Sequence, residues 1–72
     1  MKKRSISIMG HSTSVSLEDE FWEVLKQIAE ESKLSVQELI THIDSTRTTN
    51  LSSAIRVFIL DYICKKLQKE EQ

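Results

Sequence analysis

The stretch Ser12-Thr13-Ser14-Val15-Ser16-Leu17 restricts the folds open to this chain more than any other. Its alternation places Thr13, Val15 and Leu17 on one face of a strand and Ser12, Ser14 and Ser16 on the other. A half-buried strand needs a neighbour, because unpaired backbone N–H and C=O groups are costly when buried and adhesive when exposed. Everything after Leu17 reads as helix or turn. The mate therefore comes from a second copy of the chain, as an antiparallel ribbon, or from the short segment before the strand. In the second arrangement Gly10-His11 is a two-residue turn and Ser5–Met9 folds back on Ser12–Ser16. The intermolecular ribbon is the main expectation, since a lone two-stranded hairpin is only marginally stable.

Size supports that expectation. A chain of 72 residues is one domain, and at this length only about 60% of the unfolded surface is buried. Neither a disulfide framework nor a structural metal is indicated. Cys64 is the single cysteine, and its place in an apolar run predicts a buried, inert thiol in a reducing compartment. His11 and His42 lie in different segments and form no ligand pattern with it. Dimerisation is the remaining way to enlarge the core. No apolar run reaches the roughly 18–20 residues of a membrane span. The segment after Met1-Lys2-Lys3-Arg4 is too short and too polar for a signal-peptide core, so a cytoplasmic location is expected.

The net charge of −1 hides a division along the chain. Residues 1–16 carry Lys2, Lys3 and Arg4 and no acid, residues 17–44 are mainly acidic, and the C-terminal third is basic again. Residues 1–10 read as a basic N-terminal arm, without fixed structure at its tip. Within it Ser5-Ile6-Ser7-Ile8 alternates with the opposite parity to Ser12–Leu17. A continuous strand would need a break in phase there, and Gly10 can supply one through a positive φ.

Three helices follow. Ser16 and Asp19 predict a capping box for the first, with Phe21, Val24, Leu25 and Ile28 as its inward stripe, flanked by Trp22 and Ala29. It is expected to end near Ser32-Lys33, with Lys33 in a left-handed conformation that costs about 1 kcal/mol. Ser35 and Glu38 form a second capping box, and Val36, Leu39, Ile40 and Ile43 make the apolar face of the second helix, which ends near Ser45. Leu34, just before the cap, is placed to staple against Leu39, and Asp44 can pair with Arg47. Asn50 caps the third helix, from Leu51 to about Gln68. Between Ala54 and Cys64 only Arg56 and Asp61 interrupt its apolar character, so it must be covered on more than one side. Residues 69–72 are read as a solvated tail.

The segments STSVSL, FWEVLKQIAEES and KLSVQELI, in this order over residues 11–46, resemble the ribbon-helix-helix (Arc/MetJ-like) family of bacterial DNA-binding proteins. The later ID-S-T-R and NLSSAIRVFIL resemble its short stand-alone bacterial subgroup. The resemblance implies a mainly α fold with one short strand: an intertwined homodimer with an intermolecular two-stranded antiparallel ribbon, plus an additional C-terminal helix. Residues 11–68 would form that domain. It further implies that the ribbon enters the major groove, with Ser12, Ser14 and Ser16 facing bases. The start of the second helix, Ser35 and Val36, matches the family's phosphate clamp, which exposed helix N-terminal amides favour on their own account. Lys33 would add a charge beside it, and Lys2, Lys3 and Arg4 would add contacts from the arm. Serines discriminate bases weakly, so specificity would draw on shape and spacing.

The serines have no nucleophile-elbow context, and there is no glycine-rich phosphate loop, so neither an enzyme nor a cofactor is expected. Two functions remain. One is a sequence-specific DNA-binding homodimer acting as a small transcriptional regulator on double-stranded DNA, with higher-order assembly on the duplex open. The other is a dimeric protein-interaction module or antitoxin that takes a protein partner through Leu51–Leu67. Little chain lies beyond the third helix for a toxin-binding tail, which favours the regulator.

Overall fold

A computed structural model describes residues 1–70 of the chain, with side chains for residues 1–68. Two strands precede three helices: β1 (Lys2–Ile8), β2 (His11–Leu17), α1 (Asp19–Glu31), α2 (Val36–Thr46) and α3 (Leu51–Glu70). The strands pair antiparallel within the chain, Lys2 opposite Leu17 through to Ile8 opposite His11. This corrects the expectation of a single strand mated only by a second copy. Residues 2–8 are not a free arm; they are the missing strand.

The physical reason lies in the parity of the two alternating runs. A two-residue loop pairs every even position of β1 with an odd position of β2. Ile6 and Ile8 therefore share a face with Thr13, Val15 and Leu17, and Ser5 and Ser7 share the other face with the β2 serines. The change of phase is what a hairpin demands. Its turn is Met9-Gly10, one residue earlier than the Gly10-His11 turn of the hairpin alternative. Both residues have positive φ, +50° at Met9 and +85° at Gly10, as a type I′ turn requires.

Helix α2 packs against β1 and α3 against β2, while α1, tied to the hairpin through Trp22, begins later than Ser16 and Asp19 suggested. Leu17 is buried at the end of β2, so the strand runs through it and Glu18 becomes the N-cap, without a side-chain cap bond. Its carbonyl accepts from the N–H groups of Phe21 and Trp22. The buried stripe is Trp22, Leu25, Ile28 and Ala29, turned by about one residue from the expected one; Phe21 and Val24 are only half buried. Trp22 decides that rotation. Its ring is buried, and its Nε1–H donates to the Lys2 carbonyl at 3.0 Å, pinning the start of β1 to α1.

The α1–α2 turn follows expectation. Lys33 is left-handed (φ +59°), the Leu34 N–H bonds the Ala29 carbonyl and the Lys33 N–H bonds the Glu30 carbonyl, which is the double closure of a Schellman motif. The Ser35–Glu38 capping box is complete in both directions. Leu39, Ile40 and Ile43 are buried, and the Asp44–Arg47 pair forms at 2.6 Å. Asn50 caps α3 by accepting from the Ser53 N–H at 2.9 Å.

One core gathers these elements. Val15, Leu17, Leu25, Ile40, Ile55 and Ile59 are almost wholly excluded from solvent within it. Two polar clips hold α3 against the rest. Arg56 pairs with Glu18 at 3.1 Å, and Tyr62 and Lys66 both bond the Glu31 carboxylate. Cys64 is exposed, contrary to the expectation of a buried thiol, because α3 turns it away from the core. The helix runs to Glu70, two residues beyond the expected end, and the last part of the expected tail lies outside the described residues. No described helix is long and apolar enough to cross a membrane.

Candidate nucleic-acid interface

The hairpin has two unlike faces. Its inner face carries Ile6, Ile8, Thr13, Val15 and Leu17 towards the helices. Its outer face pairs Lys3 with Ser16, Ser5 with Ser14, and Ser7 with Ser12. All six are exposed except Ser16, which is half buried. None of the five serine hydroxyls is engaged by another described residue, so each is free to donate or accept. Sequence reasoning found Ser12, Ser14 and Ser16 and missed Ser5 and Ser7, although the parity of Ser5–Ile8 carried the signal.

The basic residues of β1 divide between the faces. Lys3 lies among the serines, whereas Lys2 and Arg4 belong to the opposite face. The Arg4 guanidinium stands 5.1 Å from the centre of the Trp22 ring, a cation–π contact. Charge also varies along the hairpin. Glu18, Asp19 and Glu20 follow its open end, whereas the tip at Met9, Gly10 and His11 carries no acid. The basic residues sit at the open end as well, with Lys2, Lys3 and Arg4 opposite Leu17, Ser16 and Val15.

Lys33, Ser35 and Val36 lie apart from the serine face, on the α1–α2 turn, and no hydrogen bond or ion pair joins the two groups. The capping box commits the amides at this helix end. Ser35 donates its N–H to Glu38 Oε1, and the Glu38 N–H donates to Ser35 Oγ, each at 3.0 Å. The bond from the Ser35 backbone holds the Glu38 carboxyl below its ordinary range, with the Ser35 side chain adding to the effect. A phosphate arriving here meets a carboxylate already in place, and only the Val36 and Gln37 N–H groups stay uncommitted. Among the described residues there is no cluster of three or more side chains suited to a metal ion.

Strand β2 is paired on one side only. Ile8 and His11 occupy the first and last positions of the turn and close the ladder, so the alternation turns the backbone groups of Ser12, Ser14 and Ser16 to the open side. The side chain of Arg56 reaches the Ser16 carbonyl there, at 3.5 Å.

Comparison with known proteins agrees with this architecture. No curated protein and no solved structure matched the chain. A family model described as a ribbon-helix-helix domain matches residues 1–63, taking in both strands, α1, α2 and most of α3. The chain belongs to the ribbon-helix-helix domain family.

Proposed function

We propose that the protein is a sequence-specific DNA-binding homodimer, a small transcriptional regulator that lays the outer face of its hairpin in the major groove. The observation that carries this reading is the continuous polar face of Lys3, Ser5, Ser7, Ser12, Ser14 and Ser16 on a two-stranded antiparallel ribbon. A ribbon of two strands fits the major groove, and side chains at its surface reach base edges. Ribbon-helix-helix domains are in general parts of DNA-binding regulators or antitoxins and typically act as dimers.

In this reading the element that enters the groove is complete within one chain. The argument for a dimer from an unmated strand loses its premise, because β1 is the mate. Adding the β2 of a second copy to the open edge would make four strands. Their axes would span about 14 Å, more than the groove width of about 12 Å. Each chain therefore carries a complete hairpin for the groove. Ser12, Ser14 and Ser16 face bases, with Ser7, Ser5 and Lys3 opposite them in turn. Lys3 takes a phosphate beside them. Lys2 and Arg4 serve the flanking backbone, and Lys33 with the Val36 amide takes a more distant phosphate; Ser35 is occupied by its own cap. The protein binds rather than catalyses.

Selection of duplexes from a random pool at fixed salt tests this directly. Lys3→Glu is expected to weaken binding to every duplex at least tenfold and to reduce the salt slope by about one. Ser14→Ala should shift base preference while nonspecific affinity stays within about twofold. Lys33→Gly should stabilise the fold by about 1 kcal/mol, by relieving the left-handed lysine, and should weaken DNA binding. Failure of the intact chain to bind any duplex at low salt would overturn the proposal. The second reading, a protein-interaction module or antitoxin, draws support from the apolar residues α3 leaves exposed.

A further inference from the structure

The turn of the hairpin carries a side chain that the fold does not use. Met9 is 85% exposed, and a Cβ placed on Gly10 beside it would meet nothing within 4 Å, so the tip is open at both residues. The other large apolar side chains of the hairpin, Ile6, Ile8, Val15 and Leu17, all lie in the core or pack against it. Met9 also holds φ at +50° in a type I′ turn, a place where asparagine, aspartate or glycine is at ease and methionine is strained. An unpacked methionine adds no stability there. Backbone strain kept at an exposed position points to a use outside the fold.

The neighbouring residues indicate what that use is. Met9 directly follows the ladder and stands two residues beyond Ser7, at the end of the outer row Lys3, Ser5 and Ser7. Ser7 and its partner Ser12 form the outer-face pair nearest the turn, and both are exposed. Hydroxyls of this kind hydrogen-bond a base edge but have no hold on a methyl group. In the major groove thymine alone among the four bases presents a methyl. Methionine is apolar, unbranched and free to turn about three side-chain bonds, which suits a small apolar target on an otherwise polar floor.

We propose that Met9 is a specificity-determining residue of the ribbon and recognises the C5 methyl group of a thymine in the major groove. Resting on the reading of the hairpin as the groove-entering element, this contact supplies what the serines lack. A serine hydroxyl donates to or accepts from almost any base, so the row by itself discriminates weakly. An apolar contact at its end picks out the one base that carries the methyl. Anchors of protein interfaces sit at the centre of well-packed patches, whereas Met9 is flanked on the outer face by hydroxyls, which favours the nucleic acid.

The test starts from the full chain and a random pool of duplexes at fixed salt. The selected site should contain a thymine whose preference disappears when the selection is repeated with Met9→Asn, a variant better suited to the turn. Deoxyuridine in place of that thymine keeps the base pair and removes only the methyl. It should weaken binding of the parent chain about fourfold, the effect of burying one methyl-sized group, and leave Met9→Asn unaffected. Met9→Leu, which keeps an apolar side chain, should retain most of the sensitivity. A site without such a thymine, or a parent chain indifferent to deoxyuridine throughout its site, overturns the proposal. So does an equal loss in Met9→Asn, or an unchanged base preference in Met9→Asn with loss of a protein partner instead. Each of these leaves the groove reading standing, because the chain still selects a duplex. A chain that selects no duplex refutes that reading, and the thymine contact falls with it.

Discussion

The hairpin and α3 are both two-faced elements that give one side to the same core, yet their outer sides are opposites. The hairpin shows solvent a row of serines with one lysine, whereas α3 shows Val57, Leu60, Ile63 and Leu67. Stability of the single chain explains neither, since both inner faces are already satisfied by Val15, Leu17, Ile55 and Ile59. The contrast separates two kinds of contact. Short hydroxyl side chains on a ribbon suit a hydrated, hydrogen-bonding partner, and an exposed apolar line on a rigid helix suits another apolar helix.

The sharpest way to break the comparison is to truncate α3 on each side. Ile59→Ala is expected to destabilise the chain by about 2–5 kcal/mol. Leu60→Ala, measured by denaturation at high dilution, should change stability by no more than about 0.5 kcal/mol. Equal effects would mean that the outer side belongs to the fold itself. A smaller effect comes from the pin under β1. Trp22→Phe removes the bond to the Lys2 carbonyl and should cost about 1–2 kcal/mol, with amide exchange in β1 accelerating more than in α2. At the turn, Met9→Asn should stabilise the hairpin by up to about 1 kcal/mol, because asparagine accepts a positive φ with less strain.

The smallest effect is a pH dependence of the clips that hold α3, to which the Glu38 carboxylate of the α2 capping box adds. The Tyr62 hydroxyl, and then Lys66, hold the Glu31 carboxyl below its ordinary range; a backbone N–H, and then Arg56, do so for Glu18. Both carboxylates bind protons more readily once the clips are released. Their contribution is therefore complete above the ordinary glutamate range and is lost as the pH falls through that range and below it. Melting curves between neutral pH and about pH 3 should show this loss, and Glu31→Gln should flatten it without altering the hairpin.

Much of the helical part was legible because its signals are local. The Ser35–Glu38 box, the Asn50 cap, the Asp44–Arg47 pair and the left-handed Lys33 each depend on residues within four positions of one another. The candidate site was half legible. Ser12, Ser14 and Ser16 followed from alternation, while Ser5 and Ser7 needed the register of a second strand.

By itself the sequence determined which residues alternate, where α2 and α3 begin and which side of each strand is apolar, since these follow from period, capping and backbone preference. Only the tertiary structure decided which strand β2 would pair with, where α1 starts and which side of α3 meets the core. Those outcomes depend on contacts between distant residues, above all the bond from Trp22 to Lys2 and the burial of Leu17, Ile55 and Ile59 in one cluster. No local pattern encodes them, because each alternative satisfies the same local rules and differs only in what is buried against what.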